Sequence, residues 1–524
     1  MSARVTNSGS SDSASSNSAQ SGVARVPGSL RDHALPAALL LGFLADQVLR
    51  APGRPALNIT LWALAATALL WIVSRRRAAP VSRETWGLVL GAVACSVLLL
   101  FRDADALAVF CMFSAVLLLG LAAGRGGSAW AVRAHIVDVA ASAIRVGLFI
   151  ITGPLGWLRG EPQPVPGRPL TPAPATRSWR RSSRVVVRGT VMALPPLLLL
   201  GALLMSADPV FDHILRNAFF FDVDTLLEHV AVACVIAWLT SGYMRAFLVD
   251  DASVMAHAAV PRPAIAPSEI AFALSLLNVL FIAFLVVQVR YLFGGAELVQ
   301  VTAGLSYADY ARRGFFELVA ATALVVPVLL IAEWAAAEDA SRRRALRIAA
   351  TVLVVLLGGV LASAAYRMKL YQDAYGLTED RLYGSVFMVW LTFLLVWLAV
   401  TVLRGRRRGF VFAAVVGGLA CIVALHVLNP HAMIARVNLA RAAAGSEYDG
   451  RYLTTLSADA VPTLIARMPR LPAAERCRVE EMLVKRWSGD RPGGWLAWNL
   501  GDARARRLVR GMAVTPDCGV VAMK

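Results

Sequence analysis

Two short segments hold most of the side chains able to recognise or transform a polar ligand. The first runs from Tyr307 through Asp309, Tyr310, Arg312 and Arg313 to Glu317. The second runs from Tyr366 through Arg367, Lys369, Tyr371, Asp373, Tyr375, Glu379, Asp380 and Arg381 to Tyr383. Each sets guanidinium groups beside phenol rings and carboxylates. A guanidinium presents a planar fork that matches a carboxylate or phosphate and also stacks on an aromatic face. The segments therefore read as a recognition surface for an anionic group, with Tyr307, Tyr310, Arg312, Arg313, Glu317, Arg367, Tyr371, Tyr375 and Arg381 as its candidate residues. The same residue types also make an aromatic belt with arginine anchors at the edge of a bilayer. In that case Asp309, Glu317, Asp373, Glu379 and Asp380 supply the ionic partners.

Known catalytic patterns do not occur. There is no H-E-x-x-H, no G-x-S-x-G, no G-x-G-x-x-G following a strand and no calcium-binding loop. The only lysines are Lys369, Lys485 and Lys524, and none follows a glycine, which excludes a Walker-type phosphate loop. Seven histidines are scattered; His426 and His431 are the closest pair, and the Asn429-Pro430 step between them argues against a shared metal. No catalytic residue, metal or cofactor is assigned. Among ionisable groups inside apolar runs, which are costly in lipid and usually face a bundle interior, Asp46 beside Gln47 is the foremost candidate. Six cysteines form no C-x-x-C pair, and four of them lie in apolar runs as packing residues.

The elements that must position these groups are membrane helices. The chain has 524 residues, 58% of them hydrophobic and only 16% charged, with a mean hydropathy of +0.62. Soluble domains carry about a quarter charged residues. Apolar runs of the length needed to cross a ~30 Å hydrocarbon core recur at roughly 34–50, 56–74, 86–101, 105–124, 184–206, 226–248, 269–293, 315–336, 345–366, 383–403 and 410–428. The fold class is thus all-α, a polytopic transmembrane bundle of about 11 spans. Residues 128–158 contain apolar stretches broken by Arg133, Asp138, Arg145 and Gly153-Pro154, and read as an amphipathic helix lying in the interface. The net charge of +18 does not indicate a nucleic-acid partner. The arginines form short clusters beside apolar runs, as topogenic signals do.

Those clusters set an orientation. Arg75, Arg76, Arg77 and Arg83, the stretch 125–184, Arg342 to Arg347, and Arg404 to Arg408 all fall on one side when the N-terminus is cytoplasmic. The positive-inside rule makes that side the cytoplasm of a bacterial cell membrane. Five regions follow: a disordered tail over 1–30, a first membrane block over 31–158, a Pro/Arg-rich cytoplasmic linker over 159–183, a second membrane block over 184–428, and an extracytoplasmic helical tail over 429–524. Helical spacing of apolar residues in LARAAAGSEYDGRYLTTLSADAVPTLIARMP and AAERCRVEEMLVKRW supports the last. Cys477 and Cys518 lie in this tail, where thiols can oxidise, and they are expected to form a disulfide.

The pairing of YADYARRGFFEL with YRMKLYQDAYGLTEDRLY, followed by NPHAMIARVNLAR, LSADAVPTL and WLAWNLGDARAR, resembles a bacterial family of polytopic membrane proteins that carries only a domain-of-unknown-function label. The resemblance extends over most of the chain from about Leu35. It implies a multi-pass membrane protein and supplies no activity, substrate or cofactor. The expected role is a non-enzymatic envelope module for assembly, sensing or partner binding, in contact with the lipid bilayer and with an envelope protein. A transporter or channel, and an enzyme acting on a lipid-linked substrate at the outer face, are the alternatives.

Overall fold

The computed structural model describes residues 28–50, 53–77, 80–124, 136–159, 223–248, 265–293, 315–337, 343–401, 409–445, 450–489 and 494–512, with a few isolated positions between them. The described chain is helical, with a single isolated parallel bridge between Ile265 and Ala336. In chain order the described helices of the bundle are α1 Gly28–Leu49, α2 Leu57–Ser74, α3 Arg83–Leu98, α4 Asp105–Ala123, α5 Ile136–Arg159, α6 Val223–Leu248, α7 Pro267–Phe293, α8 Phe315–Ala335, α9 Arg343–Tyr375, α10 Glu379–Thr401 and α11 Phe410–Leu428. Nine of these described helices, all but α1 and α3, are long and apolar enough to cross a bilayer. Exposed Phe113, Val116, Leu324, Val355 and Phe272 stud their outer surfaces, as expected where hydrocarbon rather than water is the solvent.

Side-chain contacts fix which helix ends lie together. The 50–56 connection meets the α3–α4 connection through Arg54 and Asp103. The end of α11 joins them where Arg102 Nε donates to the His426 carbonyl. We call this end of the bundle the tail face, because the C-terminal helices sit on it. The opposite, arginine face carries Arg75, Arg76, Arg77 and Arg83. There, Arg343 at the start of α9 donates to the carbonyls of Ala336 and Ala337 just past α8.

Small residues allow the closest helix approaches. A Cβ on Gly42 of α1 would lie 2.2 Å from the Ala233 carbonyl oxygen of α6, and one on Gly242 of α6 would lie 1.9 Å from the Ile150 oxygen of α5. Helix α6 is therefore clamped between α1 and α5. Two G-x-x-x-G spacings in the sequence, Gly87/Gly91 and Gly120/Gly124, contribute less. Gly87 and Gly120 face open space, while Gly124 receives Ser142 of α5.

Helix α5 differs from the interfacial placement expected for residues 128–158. It is continuous through Pro154 and long and apolar enough to cross. It also packs along α6 in antiparallel register. Val146 shares a cluster with Ala246, and farther along α5 Gly153 meets Gly242 while Trp238 Nε1 donates to the Ile151 carbonyl. Of the residues that suggested an interface, Arg145 donates through Nε to the Ala141 carbonyl and Gly153 packs on Gly242; Arg133 lies outside the described residues. The predicted span 184–206 and the predicted linker 159–183 lie outside the described residues, save Arg159 at the end of α5 and the isolated Leu204.

The tail begins without a break. Asn429, in the left-handed region at φ 53°, ends α11, and its side chain caps α12 (Pro430–Ala443) by accepting from Ala432 N–H. Beyond it come α13 (Gly450–Leu453), α14 (Val461–Arg467), α15 (Ala473–Trp487) and α16 (Leu500–Arg510). Val479, Leu483 and Trp487 of α15 recur at four-residue spacing and point into a core with Ile434, Leu453, Val461 and Val509. Leu377 and Leu382, from the corner between α9 and α10, belong to the same core. The tail is folded onto the bundle rather than tethered to it.

Candidate functional site

The second tyrosine-arginine segment forms the α9–α10 corner. The Arg381 guanidinium lies 3.8 Å from the ring centre of Tyr371 and 5.8 Å from that of Tyr375. The two rings meet edge-on at 5.4 Å. Arg381 also donates to the Gly376 carbonyl at 2.6 Å. Gly376 turns the chain at φ +75°, and a Cβ there would meet Asn438 Oδ1 at 2.5 Å. Asn438 of α12 pairs with both backbone groups of Leu377 at 2.8 Å, and Arg441 caps the end of α9 through the carbonyls of Asp373 and Ala374. Tyr371, Tyr375 and Arg381 thus come together, largely on one another.

The other candidates separate. Arg367 is buried one to two turns deeper and donates to Gln288 of α7, with Ser363 alongside at 3.4 Å. Glu317 is exposed in the first turn of α8, where a carboxylate suits the positive end of the helix dipole. Tyr307, Tyr310, Arg312 and Arg313 lie outside the described residues. Asp46 is buried near the tail-face end of α1. It accepts from His229 of α6 at 2.7 Å and from Gln47 at 2.9 Å, with Arg50 at 3.6 Å. It serves as an ion-pair clamp between α1 and α6 near the interface. Cys477 is buried and disulfide-bonded; Cys518 lies outside the described residues. Cys95, Cys111, Cys234 and Cys421 are free thiols.

A further polar cluster is one that no sequence spacing announces. It lies where the tail meets the bundle. Asp103, between α3 and α4, and Asp459, in the 3-10 turn before α14, are 356 residues apart and exchange hydrogen bonds. Asp103 N–H donates to Asp459 Oδ2 at 2.6 Å, and Ala458 N–H donates to Asp103 Oδ2 at 3.1 Å. Arg54 lies 3.2 Å from Asp103 and 3.1 Å from Asp105. Arg102 stands 3.9 Å from Asp459. Gly501 permits this approach, since a Cβ there would meet Asp459 Oδ1 at 2.5 Å. Asn499 completes the seat. Its amide donates to the carbonyls of Leu99 and Arg102 at 2.7 and 2.8 Å, while its oxygen caps α16 through Asp502 N–H.

Burial decides the electrostatics. Removal from water pushes the Asp459 carboxyl up to about 6, against the pull of the Asp103 N–H and Arg102. The same desolvation raises Asp103, with Arg54 opposing it. Next to this pair, His431 accepts from Ser457 N–H at Nδ1, 2.8 Å, and turns Nε2 to Glu379 at 3.3 Å. His426 instead faces Cys111 and the Ile422 carbonyl, so the two histidines do not converge. Among the described residues no group of three or more His, Cys, Asp or Glu side chains is placed to hold a metal ion.

Comparison with known proteins adds one finding. Residues 89–466 match the family described as a domain of unknown function, DUF4153. The chain belongs to that family. The match begins in α3 and ends in α14, so it takes in Asp103, Glu379, His431 and Asp459 together with the corner. The match thus joins the bundle from α3 onward to the first part of the tail, segments that also share a core; α1, α2 and Asn499 lie outside it. No curated protein matches the chain, and no solved structure matches it.

Proposed function

We propose that this DUF4153 protein is a non-enzymatic module of the bacterial cell envelope, which holds a basic helical tail against the outer face of the membrane to bind an anionic protein partner. The observation that carries this reading is the seating of the tail. Buried polar contacts from Asp103, Asp459, Asn499 and Asn438 fix its orientation on the bundle, which a tethered appendage would not need. Its outer surface carries a groove of about 860 Å³ flanked by Arg451, Arg478, Lys485 and Arg486, with Glu481 the one carboxylate among its lining residues. Charge of one sign gathered in a cleft steers and orients an oppositely charged partner.

Orientation follows from the positive-inside rule applied to the arginine face. An impermeant maleimide is expected to label Lys485→Cys in intact cells and Arg76→Cys only after permeabilisation. The reverse pattern would place the tail in the cytoplasm. Function is tested by charge reversal, with Arg478→Glu and Lys485→Glu combined in a deletion strain. The double variant should accumulate normally yet fail to restore the deletion phenotype, and a photo-crosslinker at position 482 should lose its protein adduct. Full complementation would exclude the groove.

A further inference from the structure

The first membrane block contains a cavity that the tail-binding reading does not use. It has a volume of about 630 Å³ and lies among α1, α2, α3, α4, α5 and α6, within the range of about 300–1,000 Å³ usual for ligand sites. Its wall runs from Gly53 and Pro55 at the tail face to Leu70 near the arginine-face end of α2. Between Asn58 and Leu70 alone that is roughly 18 Å of helix at about 1.5 Å per residue, more than one leaflet of a ~30 Å hydrocarbon core.

The lining is largely apolar, and apart from Thr67 its polar side chains are engaged with backbone. Trp62 Nε1 donates to the Leu41 carbonyl, Ser96 Oγ to Val93, Thr240 Oγ1 to Ile236 and Tyr243 Oη to Leu119. Asn58 Oδ1 accepts from the N–H groups of Ala56 and Ile59. A hydrophilic solute or an ion would find few partners along this wall, and most of its desolvation would go uncompensated. The cavity also opens sideways. Val116 and Leu239 line it and are 69% and 41% exposed on the outer surface of the bundle, so its wall is continuous with the surface that faces lipid. At the tail-face mouth, Arg50 and Arg54 are already paired with Asp46, Glu228, Asp103 and Asp105, which leaves no net cationic site to select a headgroup.

We infer that this cavity binds one hydrocarbon chain of a bilayer lipid, which enters between the helices from the membrane and is selected by its chain rather than by its headgroup. The protein would thus carry a lipid as a stoichiometric ligand, with Gly53 and Pro55 at the mouth beside Arg54, which pairs with the same aspartate that seats the tail.

The test uses the full chain in mild detergent with two synthetic lipids, dioleoyl phosphatidylglycerol and dioleoyl phosphatidylcholine. Native mass spectrometry should show one retained lipid per chain with either headgroup. Ala66→Phe and, on a second wall, Val93→Phe fill the cavity and should each reduce the lipid-bound fraction at least tenfold, while Leu64→Phe on the outer surface should not. Retention of the lipid in both filled variants, or release of all lipid from the unaltered chain, would overturn the inference. So would retention of phosphatidylglycerol alone. Because a filling variant can misfold, a phosphatidylcholine with a diazirine in its acyl chain is also photolysed on the unaltered protein. Adducts concentrated on Met112, Trp62 and Tyr243 support the site, and adducts confined to Leu64 and Phe113 refute it.

Discussion

The tail is held to the bundle at two places, and they are built on opposite principles. At the α9–α10 corner Asn438 and Arg441 of α12 bond the backbone of Leu377, Asp373 and Ala374, on a turn that half-buried Arg381 braces from within the bundle through Tyr371, Tyr375 and the Gly376 carbonyl. The Arg381 charge stays near water, so little desolvation opposes the contact. At the Asp103–Asp459 seat two carboxyl groups are buried side by side, and burial dominates the shift of both. The corner is a low-cost structural joint. The seat stabilises the assembly only while its hydrogen bonds are complete and its charge is kept down.

Asn499→Ala should have the largest effect. It leaves the Leu99 and Arg102 carbonyls without their donor and removes the cap of α16. With buried groups left unpaired at about 1–3 kcal/mol each and a cap at about 1 kcal/mol, docking should lose about 4 kcal/mol. Limited proteolysis in detergent, under conditions where cleavage follows the open population, should release the tail far faster than in the unaltered protein. An unchanged rate would mean that the corner alone holds the tail, and the comparison would fail.

A shift in pH should act on the seat and spare the corner. Asp459 rises from 3.8 to about 6, so the docked state holds its proton more tightly than the undocked one. Docking is then strongest below the ordinary carboxylate range, weakens as pH rises through about 6, and levels off above it. At about 1.4 kcal/mol per unit the full loss is on the order of 3 kcal/mol, with Asp103 adding in the same direction. Arg102, Arg54 and His431 facing the pair moderate it, and Asp105 and Asp502 on the neighbouring elements oppose charging. Asp459→Asn, which keeps an oxygen to accept from Asp103 N–H, should flatten the proteolysis profile between about pH 4 and 7. A profile equally steep in that variant would assign the titration elsewhere.

These two regions also differ in how readable they were from the chain. Tyr371, Tyr375 and Arg381 fall within eleven residues of one another, so their association is visible in the sequence, and only its purpose is not. Asp103 and Asp459 lie 356 residues apart in the chain; nothing local marks either, because their pairing is a product of tertiary docking. Hydropathy identified the apolar helices for a similar reason: a span is a local property. It placed 128–158 in the interface because Asp138, Arg145 and Pro154 interrupt the pattern, whereas contacts with Gly124 and along α6 accommodate that segment in the bundle. The glycines that matter for packing, Gly42, Gly153 and Gly242, stand on three helices that only the fold brings into contact.

Gly376→Ala tests the corner through its backbone. The residue sits at φ +75°, where an L side chain is strained, and the added Cβ would press on Asn438 Oδ1. A cost of about 2 kcal/mol is expected, independent of pH. If this variant instead steepens the pH profile, corner and seat are one cooperative unit and the contrast between them must be withdrawn.

The smallest effect should come from Arg381→Ala, the residue that the sequence marks most clearly. It removes the stacking on Tyr371 and one bond to the Gly376 carbonyl at a half-exposed position, worth about 1 kcal/mol. Arg381→Lys should recover part of that loss, since an ammonium still sits over the ring but loses the planar fork. If Arg381 serves only the corner, tail release should rise several-fold for the alanine variant and less for lysine, while complementation stays intact. Loss of complementation with a normal proteolysis rate would show that the arginine meets a ligand rather than its own chain, and the recognition surface first read from the sequence would then be reinstated at this corner.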